Sequence, residues 1–283
     1  MDVVDKMEYK RILTIQDISC VGQCSMTVAL PILSACGVET CVFPTALLST
    51  HTGGFGKPAV VHFDDSLDAI RKHWQENNIT FDAILTGYLG SVAAVEAAEA
   101  IIAEMLAPDG VAIVDPAMAD HGKMYSGLSE EYAQAMAGLC RKADILLPNI
   151  TEAAMLSGLP YKEKLDEAYV DTILKDMNHP CVVLTGVGFK PEKTGAAIRE
   201  GERCEYIVHD KIGGSCHGTG DIFAATFTGA LMRGKSLRQA TEIAAKFTCR
   251  CIENTRENPA HWYGVKFEPV LPELMNMLKE AVE

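Results

Sequence analysis

The amino-acid sequence predicts an α/β fold with three layers (α/β/α), in which helices cover both faces of a largely parallel central sheet. Short apolar segments such as CVVLT at 181–185 alternate with longer helical segments, a pattern typical of parallel sheets buried on both faces. Two segments of alternating polarity, 194–199 and 204–208, flank Glu200-Gly201-Glu202 and predict a small antiparallel hairpin. No repeat, low-complexity tract or long linker divides the chain, so we expect a single domain over residues 1–283.

The first half of the chain alternates strands and helices with clear boundary signals. Apolar and β-branched runs predict strands at 11–18, 39–46, 81–89 and 111–114. Helices are predicted at 25–35, 66–77 and 91–106. Gly37 ends the first helix and Pro108-Asp109-Gly110 ends the third. The Ser-, Thr- and Gly-rich stretch 47–58 predicts a functional loop or an extension of the sheet edge, and the polar stretch after Asp115-Pro116, up to Gly127, predicts a mobile flap.

The second half of the chain becomes mostly helical towards its end. A helix is predicted at 130–142 and a strand at 144–147, after which Pro148-Asn149 precedes a helix that opens at Thr151-Glu152. The strand 181–185 and the hairpin follow. The last predicted helices are 222–232, 237–254 and 272–281.

Composition and charge exclude several classes of function. The formal net charge of the 283 residues is −13, which argues against nucleic acid or an anionic membrane as the main partner. No run of 18 apolar residues could span a bilayer, and residues 1–5 show no apolar signal region, so we expect a cytoplasmic protein. The ten cysteines match no C-x₂-C zinc pattern, which favours reduced thiols.

The strongest functional signal is the glycine-rich stretch 213–221. Four glycines in this stretch precede an apolar helical segment, whose free N–H groups and positive dipole end favour a bound anion, most plausibly a phosphate. Asp221 lies in the first helical turn, where it could accept a proton from an attacking hydroxyl, and its position at a helix N-terminus predicts a lowered pKa. The alternative is a loop that only turns the chain, with Asp221 as an ordinary first-turn residue.

Polar residues also follow most of the other predicted strands. Ligands of parallel α/β sheets bind at the carboxyl ends of the strands, so these residues are expected to form one rim. They are Gln16-Asp17, Thr45, Gly87-Tyr88, Asp115, Asn149 with Glu152, and Thr185-Gly186.

Two of these rim residues suggest a metal. Asp115 and Glu152 would repel a phosphate unless a divalent cation lay between them, and Mg²⁺ prefers one or two carboxylates together with phosphate oxygens. Alternatively, Asp115 merely turns the chain before proline, and Glu152 is a first-turn helix charge. A Walker A loop and the dinucleotide fingerprint G-x-G-x-x-G are both absent.

These residues resemble the ribokinase-like superfamily of small-molecule kinases and, within it, the pyridoxal (vitamin B6) kinases. The resemblance covers nearly the whole chain. It is carried by Ile15-Gln16, Pro44-Thr45, 49–52 (STHT), 86–91 (TGYLGS), 115–120 (DPAMAD), 123–125 (KMY), 148–152 (PNITE) and 218–221 (GTGD). The last motif marks the superfamily, whereas the Thr45 and Tyr88 segments point to the vitamin B6 branch.

The resemblance implies transfer of the ATP γ-phosphate to the 5′-hydroxymethyl group of a B6 vitamer. Asp221 would be the base, and the N–H groups of Gly218, Thr219 and Gly220 would form the anion hole. Asp115 and Glu152 would bind Mg²⁺, and Asn149, Thr185 and Gly186 would line the path of the triphosphate. Asp120 and Tyr125 would lie on a flap over ATP. Asp17, Thr45 and Tyr88 would contact the pyridine ring. A homodimer is also implied, and the need for a monovalent cation such as K⁺ is left open.

Two departures bear on the substrate. Pyridoxal kinases commonly carry serine where this chain has Asp17, so a carboxylate here could accept from the ring 3-hydroxyl or attract a cationic amine. Hydroxymethylpyrimidine kinases of thiamine synthesis are the alternative, but their Gly-Ser-Asp start is missing and Asp221 stands where they often carry cysteine.

A third hypothesis is a ligand-binding protein without catalysis on the same fold, against which the intact Asp221 loop argues. Cys216 either approaches a substrate aldehyde or is a bystander thiol.

Overall fold

The computed structural model describes residues 9–213, 216–258 and 260–279. Gly214 and Ser215 of the glycine-rich stretch, residues 1–5 and the predicted helical residues 280–281 lie outside these ranges. Across the described residues, a nine-stranded sheet runs in the order β11-β10-β9-β8-β5-β4-β1-β2-β3. The six central strands are parallel, while β3, β10 and β11 pair antiparallel at the two edges.

The six parallel strands place their carboxyl ends along one edge of the sheet. Nine strands form the sheet in the described part of the chain. They are β1 (Arg11–Ser19), β2 (Glu39–Leu48), β3 (Val60–His62), β4 (Phe81–Thr86), β5 (Leu106–Val114), β8 (Ile145–Leu146), β9 (Cys181–Thr185), β10 (Lys193–Glu200) and β11 (Arg203–Asp210). A separate two-stranded hairpin is formed by β6 (Ala119–Asp120) and β7 (Lys123–Met124).

Helices cover both faces of the sheet, as the alternating pattern predicts. They are α1 (Met26–Ala35), α2 (Asp64–Glu76), α3 (Val92–Met105), α4 (Glu130–Cys140), α5 (Ile150–Ser157), α6 (Glu167–Asp176), α7 (Thr219–Met232), α8 (Leu237–Arg256) and α9 (Leu271–Lys279), with a 3₁₀ turn at Glu268–Val270. Helices α1, α7, α8 and α9 bury their apolar residues in one core, and α2 to α6 in the core on the opposite face. Among the helices that the structure describes, none combines the length and apolar character of a membrane span.

The α/β/α class, the parallel sheet and the hairpin of β10 and β11 are confirmed. The start of β5 was predicted wrongly, because Pro108-Asp109-Gly110 does not separate a helix from the strand. Leu106 already pairs with Phe81, and the register shift that follows absorbs the turn-like tripeptide inside the strand. The sequence patterns also missed β3 and α6, and the predicted flap contains the β6–β7 hairpin.

Candidate active site

A cleft of about 740 Å³ opens along the carboxyl ends of the parallel strands. All the residues to which the resemblance gives a role, except Thr45, line it: Asp17, Tyr88, Asp115, Asp120, Tyr125, Asn149, Glu152, Thr185, Gly186, Gly218, Thr219, Gly220 and Asp221. Gln16 and Gly87 of the predicted rim do not line the cleft. Thr45 is fully buried in β2 outside the lining, and its hydroxyl has no hydrogen-bond partner among the described residues. The structure therefore brings together most of the predicted rim.

The glycine-rich stretch ends at the N-terminus of α7. Gly218 is the N-cap residue, with a φ of 83° in the left-handed region that favours glycine. The first intrahelical hydrogen bond runs from the N–H of Ile222 to the carbonyl oxygen of Gly218, at 3.0 Å. The N–H groups of Thr219, Gly220 and Asp221 consequently have no acceptor within the helix and favour an anion in the cleft.

The carboxylate of Asp221 lies beside the turn that precedes α1. The backbone N–H of Ser25 lies near this carboxylate and lowers its pKa. Ser25 itself has a φ of 53°, which is uncommon for a residue with a side chain. Burial raises the pKa of Asp221 to about 7, an effect that the Ser25 N–H opposes and the charge of Asp17 reinforces. The predicted lowering by the helix dipole is therefore wrong, because desolvation outweighs it.

Asp17 supplies a second carboxylate at this end of the cleft. It stands where the register between β1 and β2 shifts, a type of irregularity that re-aims side chains beside active sites. Its backbone N–H donates to the carbonyl oxygen of Tyr88 at 3.1 Å, and its carboxylate accepts from the Ser19 hydroxyl at 2.9 Å. Burial raises the pKa of Asp17, while the hydroxyl groups of Ser25 and Ser19 oppose this shift.

Asp115 and Glu152 line the same cleft as Asp221. One carboxylate oxygen of Asp115 accepts from the Ala117 N–H at 3.1 Å. Glu152 accepts three backbone N–H groups, from Met118 at 3.0 Å, Ala119 at 3.5 Å and Asn149 at 2.9 Å. Burial raises the pKa of Asp115, and the charges of Glu152 and Asp221 raise it further.

The charges that line the cleft fit a divalent cation. Five carboxylates (Asp17, Asp115, Asp120, Glu152 and Asp221) face one lysine, Lys123, among the described lining residues. Among the described residues, only one oxygen of Asp115 accepts an N–H group, whereas both Glu152 oxygens accept backbone N–H groups. Asp115 therefore suits direct coordination, and Glu152 suits contact through water. Within the described ranges, no group of three or more His, Cys, Asp or Glu residues could hold a metal by itself.

Asp120 and Tyr125 belong to the flap at the edge of the cleft. Asp120 ends β6 and accepts from the N–H of His121 at 2.8 Å, while the N–H of Tyr125 donates to the carbonyl oxygen of Met118 at 2.9 Å. The flap is tied to α5 as well, because the Gly122 N–H donates to the Thr151 hydroxyl at 3.0 Å. Asn149 caps α5 with Glu152 in a capping box and contacts the flap through Ala119.

Several residues that line the cleft were not predicted as site residues from the sequence. Ser19, Cys24 and Ser25 surround Asp17 and Asp221, and His51 lies under the glycine loop with its ring 4.9 Å from that of His217. The Gly53 N–H donates to Nδ1 of His51 at 2.9 Å, so Nε2 carries the proton and donates to the Tyr263 carbonyl oxygen at 2.7 Å. At the far end, α8 contributes Ala245, Thr248, Cys249 and Ile252. Their spacing of three and four residues places them on one face of α8, and this pattern is the sequence feature that could have identified them.

The ten cysteines are free thiols, as the spacing predicts. Cys216 lines the cleft, and burial raises its pKa, which keeps it in the thiol form near neutral pH. This state favours the bystander interpretation of Cys216.

The raised pKa of Asp221 predicts a cost in stability. Its pKa of about 7 in the folded protein exceeds the ordinary value of 3.8, so proton binding stabilises the folded state at low pH and this stabilisation is lost as the pH rises through 7. We expect Asp221→Asn to raise Tm relative to the wild type, by an amount that grows from pH 5 to pH 8 and then levels off. Each kcal/mol corresponds to about 2–4 °C. Thermal unfolding without metal tests this, with Asp109→Asn at an exposed position of β5 as the control. A difference independent of pH would contradict the shift.

The fold and the cleft define a ribokinase-like small-molecule kinase. The model of the phosphomethylpyrimidine kinase family matches residues 30–265. The chain belongs to this family.

Individual relatives match over most of the chain. The crystal structure of pyridoxal kinase from Lactobacillus plantarum is 32% identical, with a TM-score of 0.87, and the match covers 95% of this chain and 98% of that one. A putative phosphomethylpyrimidine kinase from Bacteroides thetaiotaomicron, crystallised with pyridoxal, is 30% identical, with a TM-score of 0.89 and 98% coverage of both chains. The pyridoxine/pyridoxal/pyridoxamine kinase of Bordetella bronchiseptica is 25% identical over 265 residues, which are 87% of this chain and 89% of the relative.

Proposed function

We propose that the protein transfers the γ-phosphoryl group of ATP to the 5′-hydroxymethyl group of pyridoxal, pyridoxamine or pyridoxine. The observation that carries this proposal is the position of Asp221, a carboxylate with a pKa of about 7 at the first turn of α7, which lines the same cleft as Asp17 and Asp115. A base of this strength suits proton transfer near neutral pH. The names of the relatives support B6 vitamers as the substrate class.

The lining of the cleft supports one orientation of the two substrates. The vitamer would lie at the end formed by Asp17, Tyr88 and His51, with its 5′-hydroxyl towards Asp221. The triphosphate would follow Asn149, Thr185 and Gly186, under Asp120 and Tyr125 of the flap, and the adenine would reach the surface of α8. Thr45 lies outside the lining and would act on the ring only through its neighbours.

The reaction follows from this placement. The vitamer oxygen attacks the γ-phosphorus while Asp221 takes its proton, and the bond to the bridging oxygen of ADP breaks. The anion hole would be formed by backbone N–H groups at Gly218, Thr219 and Gly220, with the helix dipole of α7 adding to the field at the transferring phosphoryl group. Such a transition state chiefly requires positioning and charge neutralisation.

Asp115, directly, and Glu152, through water, would hold Mg²⁺. When bound, Mg²⁺ neutralises the charge of the phosphate oxygens. We expect Asp115→Asn to raise the Mg²⁺ concentration at half-maximal activity by about 10-fold or more, because one charged ligand among few is lost. The measurement is a Mg²⁺ titration of turnover at saturating ATP, with Asp109→Asn as the control. Identical titration curves for the wild type and Asp115→Asn would remove Asp115 from the metal site.

Repeating the wild-type titration with and without K⁺ decides whether the activity requires a monovalent cation.

A substrate panel tests the proposed function directly. Pyridoxal, pyridoxamine, pyridoxine and hydroxymethylpyrimidine are each incubated with ATP and Mg²⁺, and the products are identified by mass. We expect an increase of one phosphate on the B6 vitamers. The family model and the Bacteroides relative favour hydroxymethylpyrimidine as the second candidate substrate, and preferential phosphorylation of that compound would replace the first proposal. Binding without turnover of any compound would support the ligand-binding hypothesis.

We also propose that the protein acts as a cytoplasmic homodimer of single-domain subunits. The ten free cysteines support a reducing compartment. The edge strand β3 presents Val60 and Val61 to solvent, and Leu47 of β2, the partner of Val61 in the sheet, is exposed as well. Light scattering coupled to gel filtration gives the mass, and we expect Val61→Lys to shift it from twice the chain mass towards the mass of one chain.

A further inference from the structure

The turn at 23–25 lies against both Gly218, at the N-terminus of α7, and Asp221, the proposed base. On one side, the carbonyl oxygen of Gln23 lies so close to Gly218 that a Cβ at Gly218 would stand 2.0 Å from it. On the other side, Ser25 lines the cleft together with Asp221, and its N–H lies near the Asp221 carboxylate. The position of this turn therefore fixes where the first turn of α7 can lie.

The same turn is held from outside the cleft by the segment that follows α8. Gln23 and Gly264 form a parallel bridge, and a Cβ at Gly264 would stand 2.7 Å from Cβ of Gln23 and 2.9 Å from its backbone nitrogen. The side chain of Gln23 makes two further bonds to this segment. Its Nε2 donates to Glu268, and its Oε1 accepts from Nε2 of His261 at 2.9 Å. Gln23 is thus enclosed between Gly218 and the segment 260–268.

We propose that Gln23 is a positioning residue for phosphoryl transfer, and that His261 and Glu268 act through it. Their hydrogen bonds hold the turn at 23–25 against Gly218 and Asp221, so that the base and the α7 N–H groups keep their alignment. Glu268 is exposed on the surface and belongs to no part of the cleft lining. A loss of turnover from its substitution would therefore report this connection rather than a contact with substrate.

The proposal predicts a separation between turnover and substrate affinity. We expect Gln23→Ala to lower kcat about 10- to 100-fold, since a displacement of about 1 Å at the reacting groups can cost about 100-fold, and to change KM for the acceptor less than threefold. Glu268→Ala should lower kcat about threefold to 10-fold, and Glu268→Gln, which keeps the acceptor oxygen, should retain at least half of the wild-type kcat. The double variant Gln23→Ala/Glu268→Ala should be no slower than Gln23→Ala, because both changes break one connection.

The experiment uses the whole chain and the acceptor that the wild type phosphorylates best in the substrate panel. Glu257→Ala, at another exposed glutamate after α8, is the matched control and should keep the wild-type kcat. Glu268→Ala with unchanged kcat, or a double variant whose losses multiply, would overturn the proposal; a lowered Tm with unchanged kcat would assign these bonds to stability alone. The inference rests on the proposed phosphoryl transfer. A wild type inactive on every acceptor would contradict the proposed function, whereas an active wild type with fully active variants would contradict the positioning role.

Discussion

Asp221→Asn is expected to lower kcat by about 10²–10⁴-fold, the range for removal of a general base. Asparagine keeps the size of the side chain, and its oxygen can still face the N–H of Ser25. The turn at 23–25 and the N-terminus of α7 should therefore stay in place. It cannot take the proton from the attacking hydroxyl. We therefore expect Kd for ATP within about threefold of the wild-type value, since a threefold change corresponds to less than 1 kcal/mol.

The pH dependence provides a second measurement of the same group. The carboxylate must be ionised to act as a base, and the pKa of Asp221 is about 7. For the wild type, kcat/KM should therefore fall at acid pH with a midpoint near pH 7. The pH profile of kcat/KM reports the pKa values of groups in the free enzyme. The residual activity of Asp221→Asn should lack that limb. Unchanged turnover in Asp221→Asn, or an identical acid limb in the variant, would remove Asp221 from proton transfer; Asp109→Asn controls for a general effect of losing a surface charge.

The position of Asp221 could be predicted from the sequence, but its acidity could not. The glycine-rich stretch and the apolar segment after it identify the N-terminus of α7 through local backbone rules. The pKa depends instead on Asp17 and Ser25, which are about two hundred residues earlier and come together with Asp221 only in the folded chain. Local reasoning therefore included the helix dipole and omitted the desolvation that reverses its effect.

The same distinction explains the remaining differences between prediction and structure. Asp17, Asp115 and Glu152 could be located because parallel strands bring their carboxyl ends to one edge. Thr45 does not line the cleft, because β2 extends to Leu48 and Thr45 therefore lies inside the strand instead of at its end. The register shift at Gln16–Ile18 lengthens β2 by one residue relative to β1. The capping box of Asn149 and Glu152, which engages one carboxylate oxygen of Glu152, was also not predicted from the sequence. The N–H groups of Met118 and Ala119 engage the other oxygen, so Glu152 suits contact with a metal through water.

Gly218→Ala is expected to lower kcat by about 100-fold or more. The φ of 83° at Gly218 costs alanine about 1–2 kcal/mol. The added Cβ would also stand 2.0 Å from the Gln23 carbonyl oxygen, so either the turn at 23–25 or the start of α7 must move. Both movements displace Asp221 from Ser25 and the anion hole from the phosphoryl group, and a displacement of about 1 Å is enough for a loss of this size.

Gly158→Ala separates the two contributions. Gly158 ends α5 with a φ of 71°, so alanine there meets a comparable backbone penalty. No atom of the described residues lies within 4 Å of the added Cβ, and Gly158 does not line the cleft as described. We expect Gly158→Ala to lower Tm by a few degrees with kcat unchanged, and Gly218→Ala to lower kcat, measured at saturating ATP and acceptor, well beyond any loss of folded protein. If both variants lose only stability, the close approach of Gln23 to Gly218 is not what aligns the reacting groups, and the anion hole tolerates displacement. If only Gly218→Ala loses turnover, the contact between Gln23 and Gly218 transmits the position of the segment 260–268 to the site of phosphoryl transfer.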